Sequence, residues 1–184
     1  MSDAELIQSS LNDDARAFAV IFDRHFRAIF RFLRGRVGRQ LAEDLASETF
    51  VVAFGRRSSY DLSREDARPW LYGIAVNLLR EHRRAEERRL RAYARVPADF
   101  GSASDEPGER LDSSVSAALL ELTHEERNLI LLLTWADLTY EQLGDALNLP
   151  VGTIRSRVSR VRSKLRGRLM PVDTGVEARG SGLA

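Results

Sequence analysis

LTYEQLGDALNLPVGTIRSRVSRVRSKLR, running from Leu138 to Arg166, decides how this chain is read. Thr139-Tyr-Glu-Gln142 has the spacing of a capping box, in which a hydroxyl and an amide side chain satisfy each other's backbone N–H groups, and Leu138 with Leu143 flank it as a hydrophobic staple. A helix therefore starts there. Gly144 lets the next helix come close, at a propensity cost of about 1 kcal/mol relative to alanine. Asn148-Leu149-Pro150 reads as a turn, with proline tolerated at a first helical position. Ile154, Val158, Val161 and Leu165 follow at helical spacing and predict one buried stripe. Thr153, Ser156, Arg157 and Arg160 share another face. Between Gly152 and Met170 stand Arg155, Arg157, Arg160, Arg162, Lys164, Arg166 and Arg168, seven cations with no anion among them. Two helices joined by a tight turn, the second cationic, form a helix-turn-helix suited to a DNA major groove.

Working outward, the charge along the chain is uneven although the net charge is only +1. Seven arginines oppose Glu81, Glu86 and Glu87 between Asn77 and Arg95, and Asp99 to Asp112 is acidic. Two basic elements separated by an acidic connector suit two DNA-contacting units. Lys164 is the one lysine among 28 basic residues, and arginine favours bidentate contact with guanine and phosphate. With no cysteine, disulfides, thiol catalysis and cysteine-ligated zinc are excluded. The first residues lack a basic region followed by an apolar core, and no apolar run approaches the length of a membrane span. These features imply a cytoplasmic protein with no membrane contact.

The rest reads as helical throughout, an all-α fold of two small domains joined by a flexible linker. Asn12-Asp13-Asp14 is the expected cap of a first long helix whose stripe is Phe18, Phe22, Phe26, Ile29 and Leu33, ending at Gly35 and Gly38. A second helix, about 40–56, carries Asp44, Ser47, Glu48 and Val51 on one face, with Leu45, Thr49, Phe50, Val52 and Phe54 as its buried candidates. After a polar loop over 58–66, a third helix starts near Asp66, tolerates Pro69 in its first turn and runs toward Arg95. Trp70, Ile74 and Leu78 make its apolar row; Asn77, Arg80, Arg84 and Arg88 make a polar one. The segment PADFGSASDEPG reads as linker. Helices over 111–122 and around 128–135 precede the helix-turn-helix, the latter capped by Thr123-His-Glu-Glu126. The expected domains are 1–95 and 113–170, with a linker at 96–112 and a disordered tail at 171–184.

Three segments, AEDLASETFVVAF from Ala42, ARPWLYGIAVNLLREHRR from Ala67 and the helix-turn-helix itself, together resemble the extracytoplasmic-function sigma factors of bacterial RNA polymerase, over about 15–89 and 117–169. The resemblance implies a sigma factor that binds core RNA polymerase and promoter DNA. By that likeness the helix matching 41–54 meets polymerase through Asp44, Ser47, Glu48 and Val51, with Ser47 departing from the glutamine often found there. The third helix and its preceding loop would capture the −10 element as a melted strand, Asn77 reading a base edge and Arg80, Arg83 and Arg84 holding backbone. Tyr60, Trp70 and Tyr72 could stack on a flipped base, although Trp70 lies on the apolar row and reads as core. The recognition helix would read the −35 element as duplex through Thr153, Arg155, Ser156, Arg157, Ser159 and Arg160. Tyr140 and Glu141 would offer backbone N–H groups to a phosphate.

Catalytic chemistry is not expected. His25, His82 and His124 stand in separate elements with no HExxH, no nucleophile elbow surrounds a serine, and no phosphate-binding GxxxxGK[ST] occurs. The reading is of a non-enzyme without cofactor or metal, without a stable homo-oligomer, and with an anti-sigma factor as a further candidate partner. Two alternatives stand beside it. One is a helix-turn-helix regulator of operator DNA, dimerising through the Phe-rich first helix. The other is a decoy that binds an anti-sigma factor and no DNA, which would have no need of the basic faces.

Overall fold

The computed structural model describes residues 1–12, 14–93 and 113–169. The expected linker and tail lie outside the described residues. Among them the chain is all-helical: α1 (Asp3–Leu11), α2 (Ala17–Arg34), α3 (Arg39–Gly55), a 3-10 turn (Arg57–Ser59), α4 (Arg68–Tyr93), α5 (Ser113–Leu120), α6 (His124–Trp135), α7 (Tyr140–Leu147) and α8 (Val151–Leu169).

The N-terminus corrects one expectation. Of the run Asn12-Asp13-Asp14, expected to cap the Phe-rich helix α2, Asn12 is instead the C-cap of a preceding helix, α1, and Asp13 lies outside the described residues. Ser2 and Glu5 form a capping box: Glu5 N–H donates to Ser2 Oγ (3.2 Å) and Ser2 N–H to Glu5 Oε2 (2.7 Å). α2 instead starts from Arg16, which makes no side-chain cap bond, and Asp14 contributes only its carbonyl, to Ala17 N–H at 2.9 Å.

Asp3 ties α1 down. Its buried carboxylate accepts from His25 Nε2 (2.7 Å), Arg24 Nη1 (3.0 Å) and Ala67 N–H (3.0 Å), joining α1, α2 and the entrance to α4. His25 and Asp3 are 22 residues apart, beyond the reach of any local spacing rule. Burial by itself raises this carboxyl's pKa, but the donors from His25, Ala67 and Arg24 outweigh it and hold it at about 2.

On α2 the buried side is Phe18, Ile21, Ile29, Phe32 and Leu33. Phe22 stands at its edge, 39% exposed, where it stacks on Phe26 and meets Phe50 of α3 edge-on. On α3, Leu45, Thr49 and Phe50 are buried as expected; Val52 is half-buried and Phe54 exposed, while Ala42, Ala46 and Ala53 complete the inner face. The small alanines set how closely α3 packs on α2 and α4. α4 begins where Asp66 Oδ1 accepts from Arg68 N–H at 2.9 Å, and buries Leu71, Ile74, Ala75, Val76 and Leu79.

The two halves share one continuous apolar core. α4 lies against α7, and a Cβ on Gly73 would stand 2.8 Å from the Ala146 carbonyl oxygen, so only glycine permits this approach. Trp135 of α6 covers Gly35 at the end of α2. Arg64 forms a bidentate pair with Asp145, the Nη2–Oδ1 distance being 3.0 Å. Arg36 is buried in the same seam, donating from Nη2 to the His124 carbonyl (3.2 Å). Its Nε and Nη1 find no acceptor among the described residues. Desolvation, with repulsion from Arg83 and Arg127, pushes its pKa down to about 9.

Because the Asp3 carboxyl is depressed in the folded state, its contribution is complete above about pH 4 and is lost as pH falls toward 2. Asp3→Ala should therefore cost about 2–3 kcal/mol at neutral pH and flatten stability against pH between about 4 and 2. Urea melts of both proteins across that range measure it; parallel pH curves would remove Asp3 as the anchor of α1.

Candidate nucleic-acid interface

The helix-turn-helix is built as its local chemistry requires. Gln142 N–H donates to Thr139 Oγ1 (3.2 Å) and Thr139 N–H to Gln142 Oε1 (2.9 Å), while Leu138 and Leu143 are buried. Asn148 ends α7 in the left-handed region at φ 52°, a conformation asparagine accepts more readily than most residues. Gly144 serves the turn itself, since a Cβ there would meet the Leu149 carbonyl at 2.9 Å. The Pro150 carbonyl accepts the Ile154 N–H at 3.1 Å and opens α8. Ile154, Val158 and Val161 are fully buried and Leu165 half-buried, so the stripe turns Arg155, Ser156, Ser159 and Arg160 outward. Thr153 and Arg157 are half-buried at the border. At the start of α7, Glu141 is exposed and Tyr140 half-buried.

The α8 cations are not bare. Arg155 pairs with Glu141 (3.7 Å), Arg157 with Glu125 (3.6 Å), Lys164 with Glu126, and Arg168 with Glu121 (2.8 Å). Four of the seven cations counted in the sequence thus face carboxylates supplied by the residues preceding α8. Of these acids the sequence pattern singles out Glu141, for its backbone N–H at the start of α7, and Glu126, as a cap; the pairing of all four with α8 depends on the tertiary fold. At such exposure each pair is worth at most about 1 kcal/mol, so phosphates can displace them.

Of the third-helix residues, Arg83 stands apart from the face that Asn77, Arg80 and Arg84 share. Asn77 and Arg84 are exposed. Arg84 lines a cleft of about 530 Å³ with Leu45 and Glu48 of α3. Arg80, one turn earlier on the same face, lines a separate cleft of about 220 Å³ with Arg157 and Arg160 of α8. Arg83 is half-buried and reaches the Arg36 carbonyl at 3.5 Å. A helix turns 100° per residue, which separates Arg83 from the row of Asn77 and Arg84.

Of the three candidate stacking rings, Tyr72 is excluded: it is buried edge-on against Phe32 at 5.4 Å between centroids. Tyr60 is also buried and donates its hydroxyl to the Arg64 carbonyl (2.6 Å). Trp70 leans on Tyr60 at 5.0 Å and remains half-exposed in a second cleft of about 530 Å³, beside Asp61 and Arg64 of the preceding loop.

On α3, Asp44, Ser47 and Glu48 are all exposed and Val51 is 71% exposed. Neither carboxylate has an ion-pair partner among the described residues. Phe54, one turn on from Val51, is exposed as well. The described residues contain no group of acidic and histidine side chains able to hold a metal ion, and no helix among them is long and apolar enough to cross a membrane.

Comparison with known proteins gives this geometry its setting. Residues 21–89 match the family described as Sigma-70 region 2, and residues 118–167 match Sigma-70, region 4. The ECF RNA polymerase sigma factor SigW of Bacillus subtilis is 30% identical over 170 residues, covering 85% of this chain and 90% of that protein. SigE of Mycolicibacterium smegmatis is 35% identical across 78% of this chain and 56% of its own length. Among solved structures, the sigma factor RpoE in complex with the anti-sigma factor NepR from Bartonella quintana aligns with a TM-score of 0.68 and 25% identity, covering 86% of this chain and 99% of that one. With both regions present in order, each on the helices described above, this chain belongs to the extracytoplasmic-function family of RNA polymerase sigma factors.

Proposed function

We propose that this sigma factor docks on core RNA polymerase through the α3 face of Asp44, Ser47, Glu48 and Val51, and reads its promoter with two separate surfaces. The exposed side of α8, with Arg155, Ser156, Ser159 and Arg160 and with Thr153 and Arg157 at its border, takes the −35 element as duplex. The first turn of α7, at Tyr140 and Glu141, seats a phosphate. The surface of α4 around Asn77, Arg80 and Arg84, together with the loop before it, takes the −10 element as single strand. Arg83, bonded to the Arg36 carbonyl, contributes to this surface from its inner edge. The observation that carries the reading is the cationic α8 on a correctly capped helix-turn-helix, joined in one chain to a region 2 whose Asp44 and Glu48 have no ion-pair partner among the described residues.

The chain acts by binding, not by turnover. Opening a base costs a few kcal/mol of stacking. Stacking on an aromatic ring returns about 1–3 kcal/mol per base, a role for Trp70, and phosphate neutralisation by the α4 arginines supplies more, more strongly at low salt. Its place of action is the cytoplasm, where polymerase and promoter are. The structurally similar sigma factor RpoE of Bartonella quintana is in complex with the anti-sigma factor NepR, and an anti-sigma factor is the partner we propose for this chain as well. The Phe-rich α2 spends most of its rings on α3, which leaves the dimeric-regulator alternative without an evident dimerisation face.

Run-off transcription with bacterial core polymerase and a promoter library should yield transcripts that require this protein and share two spaced upstream elements. Duplex binding without any transcript would restore the operator-binding regulator. Arg160→Ala should weaken use of those promoters by about 1–3 kcal/mol of discrimination with core binding intact; equal loss of both would take Arg160 off the DNA. Reversing Asp44 and Glu48 to arginine should weaken core binding while circular dichroism stays unchanged, because both side chains are exposed and unpaired. An unfolded variant would make these two residues structural.

A further inference from the structure

The polar loop that leads into α4 is held at both ends by α1, a helix that lies ahead of the region 2 match. At the loop's exit, Asp3 N–H donates to the Glu65 carbonyl (3.0 Å) and the Asp3 carboxylate accepts from Ala67 N–H (3.0 Å). At its entrance, Arg57 donates from Nε to the Ser10 carbonyl (3.4 Å) and from Nη1 to the Phe54 carbonyl (2.7 Å). The 9 residues of α1 span about 13 Å, and its first residue and last turn grip the two ends of the loop. Asp3 and Ser10 are both buried, which strengthens the bonds made to them. The stretch between the grips is open, with Ser59, Asp61, Leu62 and Ser63 exposed. Its further bonds, from Ser63 to Asp61 and from Arg64 to Asp145, are exposed as well and hold it weakly. Tyr60, beneath the loop, supports Trp70 at 5.0 Å between ring centroids.

We propose that Asp3 is a positioning residue for strand capture: through the two grips, α1 braces residues 58–66 and Trp70 in the shape that receives the melted −10 strand, without touching that strand. The proposal rests on the assignment of the strand to α4 and its preceding loop. A polar loop with its side chains in water loses conformational entropy at every residue it orders on binding. A loop ordered in advance by α1 has lost that entropy at folding, so more of the contact free energy appears as affinity. α8 packs on α5, α6 and α7, which keeps duplex reading apart from the brace. His25 marks the limit of the role. It bonds the same carboxylate from α2, at 2.7 Å, and its removal lowers stability while leaving Asp3 on Glu65 and Ala67.

The test compares two DNAs recovered from the run-off selection, each bound by the full chain on core polymerase. One is the −35 duplex alone; the other is the same duplex extended by the non-template −10 sequence as a single strand. Unaltered protein should bind the extended DNA more tightly. Asp3→Ala should lose about five- to tenfold of that extra affinity, with −35 duplex and core binding held within about twofold. His25→Ala, destabilised in urea to a similar degree, should keep it. Loss in both variants in proportion to their lost stability overturns the brace, as does full extra affinity in a folded Asp3→Ala protein. Arg57→Lys keeps the charge, gives up the Nε donor and should lose about two- to threefold. Where Asp3→Ala does not fold, an unchanged Arg57→Lys protein overturns the proposal. The chain has no cysteine, so a nitroxide on Leu62→Cys reports the loop alone. Its spectrum should sharpen when Asp3→Ala is added, and an unchanged line shape in a folded protein also sinks the brace. Unaltered protein that gains nothing from the single strand would instead remove the −10 assignment, and the brace with it.

Discussion

Every functional surface of this protein is arranged around α4, and α4 can carry α7 only because Gly73 has no Cβ. A methyl group there would stand 2.8 Å from a backbone carbonyl, which cannot swing aside as a side chain can. That approach brings Arg64 to Asp145 and Gln142 to Asp66, and leaves the helix-turn-helix leaning on the helix expected to hold melted DNA. One glycine thus couples the duplex-reading and strand-capturing ends of the molecule.

The charge distribution serves the same economy. A helix with seven cations would bind any polyanion if left bare. Glu121, Glu125, Glu126 and Glu141 surround it with weak, exposed pairs, which are exchanged for phosphates where a well-placed duplex offers more contacts at once. On the proposed reading, specificity falls to the outward residues of α8, Arg155, Ser156, Ser159 and Arg160. Between the halves, Asp3 performs the opposite task. Its carboxylate is buried and fully bonded, so it holds α1, α2 and α4 together where no motion is required.

Much of the fold was legible because helix boundaries obey local chemistry. Thr139 with Gln142 and Thr123 with Glu126 cap their helices as their spacing requires, and Ile154, Val158, Val161 and Leu165 face inward as a 3.6-residue period demands. Ser2 with Glu5 has the same spacing and caps α1, a helix outside the expected set. Where position depends on a neighbour, the pattern failed. Tyr72 has the composition of a stacking residue, but Phe32 closes over it. Arg83 stands in the basic run, yet faces the turn after α2. Phe22 was placed in the apolar stripe and lies at its edge.

By itself the sequence determined the all-helical class, the capped helix-turn-helix, the cationic recognition helix and the exposed acidic face of α3. Each follows from interactions within about four residues, which the order of side chains specifies directly. Only the tertiary structure decided that Asp3 would meet His25, that Glu125 would stand between Arg80 and Arg157, and that α7 would rest on Gly73. Those pairings join residues tens of positions apart, and what selects them is the shape and burial of the packed helices, which no local period encodes.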